Sequence, residues 1–198
     1  MASSGVSPAS PVVVVTGTSG AGKGSIERIL LERMPELELA VSATTRERRP
    51  NEVDGKHYWF ISDEEFDRRL EDKGFLEYFT FPWGQRSGTL KSEIDRIREA
   101  GRIPLLDLET DGALYIQEKV PEAVTIFVTA PTFDELERRL RQRATESSGE
   151  IGERLELARE QLALADRFDH VIVNDDLERA AGEVQEIVRE QIAATMNA

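Results

Sequence analysis

Residues Gly17 to Ser25 read Gly-Thr-Ser-Gly-Ala-Gly-Lys-Gly-Ser and come directly after a run of four valines, Val12 to Val15. Glycines at this spacing let the backbone curl so that successive N–H groups converge on an anion. A helix opening at the end of the loop adds its partial positive charge. Lys23 brings a full charge for the β- and γ-phosphates of a nucleotide. The chemistry expected of Gly17, Ser19, Gly20, Ala21, Gly22, Lys23, Gly24 and Ser25 is therefore the holding of ATP phosphates.

A second group of residues also suits anions. Ser42 to Phe60 contains Arg46, Arg48 and Arg49, three arginines within four residues, followed by Glu52, Gly55 and Tyr58. The arginine fork grips phosphate oxygens two at a time, and a tyrosine hydroxyl adds a donor. A third group, Arg138, Arg139, Arg141 and Arg143, leads into the small polar stretch Thr145 to Gly152, with Arg154 beyond it. Taken alone, such arginines are ion-pair partners on a solvated helix. Flanking a glycine-containing tip in a chain with a phosphate loop, they suit a closing lid.

These groups need elements to position them. Val12 to Thr16 is β-branched without polar alternation, as in a strand buried on both faces of a parallel sheet. Ile26, Ile29, Leu30 and Met34 follow at helical spacing. Further strands are expected at Leu37 to Ser42, Ile103 to Leu108, Val124 to Thr129 and His170 to Asn174. Helical patterns cover Leu136 to Arg143, Glu153 to Asp166 and Leu177 to Ile192. Strands interleaved with helices imply an α/β fold, a P-loop NTPase-type parallel sheet flanked by helices. The rhythm breaks at Tyr58 to Ile61 and Phe75 to Phe81, aromatic strands around a polar helix near Asp63 to Leu70. That segment reads as a small β-rich insertion whose core is Trp59, Trp83, Phe75, Phe79 and Phe81.

Composition excludes several classes. The chain has 198 residues, 25 Lys+Arg against 38 Asp+Glu, and a net charge of −13. That balance argues against a general nucleic-acid or membrane-surface binder. With no cysteine and only His57 and His170, neither a thiolate zinc site nor a histidine-driven hydrolase is expected. Residues 1–11 read as a flexible leader without the features of a signal peptide, and no apolar run is long enough to span a bilayer. The expectation is a cytoplasmic protein without nucleic-acid, membrane or obligate protein partners.

The frame Thr-Thr-Arg-x2-Arg-x2-Glu-x2-Gly-x2-Tyr-x-Phe is met by Thr44, Thr45, Arg46, Arg49, Glu52, Gly55, Tyr58 and Phe60. It resembles the signature of guanylate kinases, and the resemblance runs from Val12 to about the end of the last helix. It implies phosphoryl transfer from ATP to GMP, and to dGMP, giving ADP and GDP in purine nucleotide metabolism. It also implies one domain, 12–198, divided into a core (12–42, 90–132 and 166–198), a GMP-binding insertion (43–89) and a helical lid (133–165). Carried over, Arg46, Arg49 and Tyr58 hold the GMP phosphate. Ser42 and Glu77 line the guanine pocket, Thr89 offers a hydroxyl near O6, and Asp107 and Glu109 complete the substrate site. Arg143 and Arg154 close over the transferring group, and Asn174 and Asp175 lie beside the adenine of ATP. Lys23, Arg49, Arg143 and Arg154 are the catalytic set.

Three departures stand out. Position 24 is Gly where the general phosphate loop has a Ser or Thr for Mg2+, and Ser25 comes one residue late. The Gly-Lys-Gly-Ser form resembles nucleoside monophosphate kinases, in which Mg2+ is held by phosphates and water; here Ser25 or Asp107 would lie nearby. The family's tyrosine pair after the Glu77 strand is replaced by Pro82-Trp83-Gly84-Gln85-Arg86. Either Arg86 takes over as phosphate donor or the tyrosine's place goes unfilled. Glu109 stands where the family commonly has Asp. Two other readings stay open at this point: a same-fold kinase for another phosphorylated acceptor, and a non-catalytic interaction module.

Overall fold

The computed structural model describes residues 11–81, 84–143 and 148–196. The residues of the leader up to 10, Trp83, and 144–147 of the polar tip lie outside them. The chain begins with strand β1 (Val12–Gly17), helix α1 (Lys23–Arg33) and strand β2 (Leu37–Leu39). Then come β3 (Ala43–Thr44), β4 (Trp59–Phe60), α2 (Asp63–Glu71), β5 (Phe75–Thr80) and β6 (Arg86–Leu90). The rest is α3 (Lys91–Glu99), β7 (Ile103–Asp107), α4 (Thr110–Lys119), β8 (Ala123–Thr129), α5 (Phe133–Arg143), α6 (Ser148–Leu162), β9 (His170–Val173) and α7 (Leu177–Met196).

Five strands form a parallel sheet in the order β2-β7-β1-β8-β9. All six residues of β1 are buried, because successive side chains enter different cores. Val13 and Val15 pack with Ile26, Ile29 and Leu30 of α1 and Val184 and Val188 of α7. Val12 and Val14 pack with Ile94 and Ile97 of α3 and Ala113 and Ile116 of α4. A strand covered by helices on both faces has no use for polar alternation.

The insertion builds a second sheet, β4-β3-β6-β5. Ser62 caps α2 by accepting the Glu65 N–H at 3.1 Å, with Asp63, Glu64 and Glu65 in the first turn, where the helix dipole favours them. Phe66 of α2 stacks on Phe75 of β5 at 4.3 Å, and with Ala43 and Leu90 they form the insertion's own core.

Some expected elements shift. The second strand ends at Leu39, because the chain leaves the parallel sheet there and joins the other at Ala43. The polar stretch expected as a tip is already helical from Ser148, and α6 stops at Leu162, before a 3-10 turn at Ala165–Arg167. The aromatic core is smaller than expected: Phe79 is exposed, and Phe81 faces a cavity described below.

Removing the Phe66 ring should cost roughly 3–5 kcal/mol. Urea unfolding of Phe66→Ala tests this, and a loss under about 1 kcal/mol would place the insertion's core elsewhere.

Candidate active site

The C-terminal ends of β1, β7, β8 and β9 lie side by side, and the phosphate loop leaves the first of them. At Gly17 an added Cβ would sit 2.0 Å from the Val128 carbonyl oxygen, so the loop can leave β1 against β8 only as glycine. Gly22 precedes α1 in the left-handed region at φ 92°, and a side chain there would strike Asn174 Nδ2 at 2.5 Å. That amide instead donates to the Ala21 carbonyl at 2.7 Å. Arg139 Nη2 donates to the Asn174 carbonyl at 3.0 Å, so α5 and the end of β9 brace the loop from one side.

On the other side, Lys23 Nζ lies 2.6 Å from Asp107 Oδ1, at the end of β7. Burial pulls the ammonium's pKa down, but the charge and hydrogen bond of Asp107, with Glu109 and Glu27, outweigh it and leave it raised. Glu27, one turn into α1, is buried. Burial and the charge of Asp107 push its carboxyl above the usual range against the pull of Lys23.

Three cavities meet at the loop. One of about 550 Å³ is lined by Gly17, Ser19, Gly20, Lys23, Glu109 and Arg154, among others. A second, of about 370 Å³, is lined by Ser25, Arg139, Asn174 and Asp175. The third, about 170 Å³, brings Lys23, Asp107 and Glu109 together with Ser42, Tyr58 and Glu77 from the insertion. Phe81 lines the first and third.

Glu77 is buried, and both the N–H and the hydroxyl of Thr89 donate to its Oε1, at 2.9 and 2.8 Å. Burial raises the Glu77 pKa, and the two Thr89 bonds oppose that shift. The Thr89 hydroxyl expected to face a purine O6 is therefore a donor that orients the carboxylate. Arg46 bonds Glu52 Oε1 at 2.6 Å and lies 5.4 Å from the Tyr58 ring centroid. Glu52 Oε2 also accepts the Arg49 N–H at 2.8 Å. The Arg49 side chain is exposed and lines none of the three cavities.

Arg86 is not aimed at a phosphate site. Its guanidinium bonds Asp63 at 2.6 Å and Asp67 at 2.5 Å and lies over the Phe66 ring, so it ties β6 to α2. Asp175 is bonded by Arg179, which lowers its pKa. Ser25 opens onto the Arg139 side of the loop, away from Asp107. Arg143 ends α5, and its side chain lies outside the described residues.

The sequence reading set Arg139 among the lid arginines without a place at the loop, and it missed Gln161. Arg139 precedes Arg143 by one helical turn, a spacing that was there to be used. Gln161 of α6 is buried, accepts the Ser19 N–H at 3.2 Å and donates to Glu109 at 3.1 Å. Nothing in the sequence separates it from an ordinary helix-surface glutamine.

The sequence profile of the guanylate kinase family matches residues 9–191. The chain belongs to that family. It is 44% identical over 182 residues to the guanylate kinase of Rubrobacter xylanophilus, covering 92% of this chain and 95% of that one. The guanylate kinase of Caldanaerobacter subterraneus subsp. tengcongensis is 41% identical over 177 residues, 89% of this chain and 85% of that one. The crystal structure of guanylate kinase from Anaplasma phagocytophilum superposes with a TM-score of 0.72 at 27% identity, covering 92% of this chain and 86% of that one.

Arg46 and the Arg49 N–H hold the Glu52 carboxyl down at about 2. Its folded pKa lies below the unfolded value of about 4.3. The stabilisation is therefore full above that value and lost as pH falls toward 2. An NMR titration should leave the Glu52 carboxyl resonance unchanged from pH 7 to about 4; a midpoint near 4 would mean the Arg46–Glu52 pair is not formed in solution.

Proposed function

We propose that this protein transfers the γ-phosphoryl group of ATP to GMP, and also to dGMP, giving ADP and the nucleoside diphosphate. One observation carries the reading. The cavity of about 170 Å³ is walled by Lys23 of the phosphate loop and by Ser42, Tyr58 and Glu77 of the insertion. Donor and acceptor sites thus share a wall, as direct transfer requires.

Phosphoryl transfer calls for alignment and charge neutralisation more than covalent chemistry. Lys23 turns from Asp107 to the β- and γ-phosphates when nucleotide binds. Arg46 and Tyr58 receive the GMP phosphate, with Arg49 turning inward from its exposed position. Glu77, held by Thr89, accepts the N1–H and N2–H donors of guanine. Adenine would set an acceptor against that carboxylate, and a site built for one edge can reject the other by ~10⁴-fold. The base of ATP lies along Asn174 and Asp175, beside Arg139. The insertion, 43–89, is the acceptor-binding part.

The lid, 133–165, carries Arg143 and Arg154 over the transferring group and excludes water from it. Mg2+ bound with the phosphates supplies further charge neutralisation, and the oxygen donors of Asp107 beside Lys23 suit that ion. The reaction needs no protein nucleophile, in keeping with the absence of cysteine. No described helix is long and apolar enough to cross a membrane.

Lys23→Ala or Arg143→Ala should lower kcat by at least ~10²-fold with the circular dichroism spectrum unchanged. Near-normal turnover in either would contradict its role. A coupled assay of ADP release across GMP, dGMP, AMP, UMP and CMP should give turnover with GMP and dGMP alone. Turnover with another acceptor would favour a different same-fold kinase, and none at all a non-catalytic module.

A further inference from the structure

Gly24 lines the large cavity beside Lys23, at the position where the general phosphate-loop pattern places a hydroxyl for Mg2+. The neighbouring hydroxyl does not replace it, since Ser25 opens onto the opposite side of the loop. A Cβ built at Gly24 would meet one atom within 4 Å, Glu27 Oε2 at 4.0 Å. A carboxylate thus stands next to the space that the missing side chain would enter.

Glu27 belongs to no role described so far. Its residue is 6% exposed, and its Oε1 has no hydrogen-bond partner among the described residues. Ile26, Ile29 and Leu30 around it on α1 are core residues, so an apolar side chain would suit its place. A buried carboxylate oxygen without a donor is costly, by several times an ordinary hydrogen bond, unless a ligand satisfies it. Asp107 and Lys23 are both near enough to act on its charge. Once Lys23 turns to a phosphate, Asp107 loses its partner at 2.6 Å. Asp107 then faces the nucleotide without its partner, and Glu27 on α1 is near enough for the two charges to act on each other.

We propose that Glu27, together with Asp107, holds the hydrated Mg2+ of the bound nucleotide by accepting hydrogen bonds from its water ligands, in the part that a hydroxyl at position 24 plays elsewhere. Mg2+ gives up its waters reluctantly, so carboxylates at the edge of the phosphate site hold it through them. Such outer partners typically contribute 10- to 100-fold to metal affinity. The inference rests on the reading of Gly17 to Ser25 as a nucleotide-phosphate site.

The test is calorimetric binding of ADP to the full chain, with Mg2+ and with EDTA, together with Mn2+ electron paramagnetic resonance in the presence of ADP. The wild type should bind ADP more tightly with Mg2+. Glu27→Gln should reduce that gain by about 10-fold or more, and weaken Mn2+ retention in parallel, with ADP affinity in EDTA unchanged. Glu27→Leu, with its fold checked by circular dichroism, should show the same loss. Adding Gly24→Ser to Glu27→Gln should restore part of the gain. If both Glu27 variants keep the wild-type response to Mg2+, or the wild type gains nothing from it, the inference is overturned. A wild type that binds no ADP with or without metal would instead bring down the phosphate-site reading on which it rests.

Discussion

The ion pair of Lys23 and Asp107, 2.6 Å apart, joins the first residue of α1, just past the phosphate loop, to the end of β7. It places the ammonium of the phosphate loop in a cavity that the insertion also lines. With a net charge of −13, the protein as a whole repels two nucleotide substrates, so attraction must be local. The ion pair keeps a positive group at the site without leaving it unpaired.

Much of the remaining structure keeps other charges in place. Asn174 and Arg139 brace the loop through backbone carbonyls. Thr89 orients Glu77 with two donors, and Glu52 holds Arg46 beside Tyr58. Arg86 joins β6 to α2 and stabilises the scaffold of the insertion. Each arrangement fixes a charged group at a defined point through partners brought from elsewhere in the fold.

Helix α6 is linked to the same centre. Gln161 of α6 reaches both the Ser19 N–H and Glu109, so this helix touches the loop and the segment just after β7 together. Glu109, read from the sequence as a substrate-site residue, is thus also held by a side chain of α6.

How much was legible in the sequence differs from residue to residue. The buried valine run, the glycine spacing after it and the arginine frame from Thr44 to Phe60 specified the sheet, the phosphate loop and the family, because each depends on contacts between near neighbours in the chain. Expectations that depended on distant partners fared less well. Of the two readings of Arg86, its pairing with Asp63 and Asp67 leaves the one in which the tyrosine's place goes unfilled, and the Thr89 hydroxyl is engaged by Glu77. Gln161 and Glu27 drew no notice, and Arg139 only as one of a run of lid arginines, since a polar residue on a helix reads as solvated until something covers it. The sequence by itself determined which local structures form and which chemistry they suit. Only the tertiary structure decided which charged groups are already paired and which remain for substrate, because pairing depends on side chains brought together across the fold.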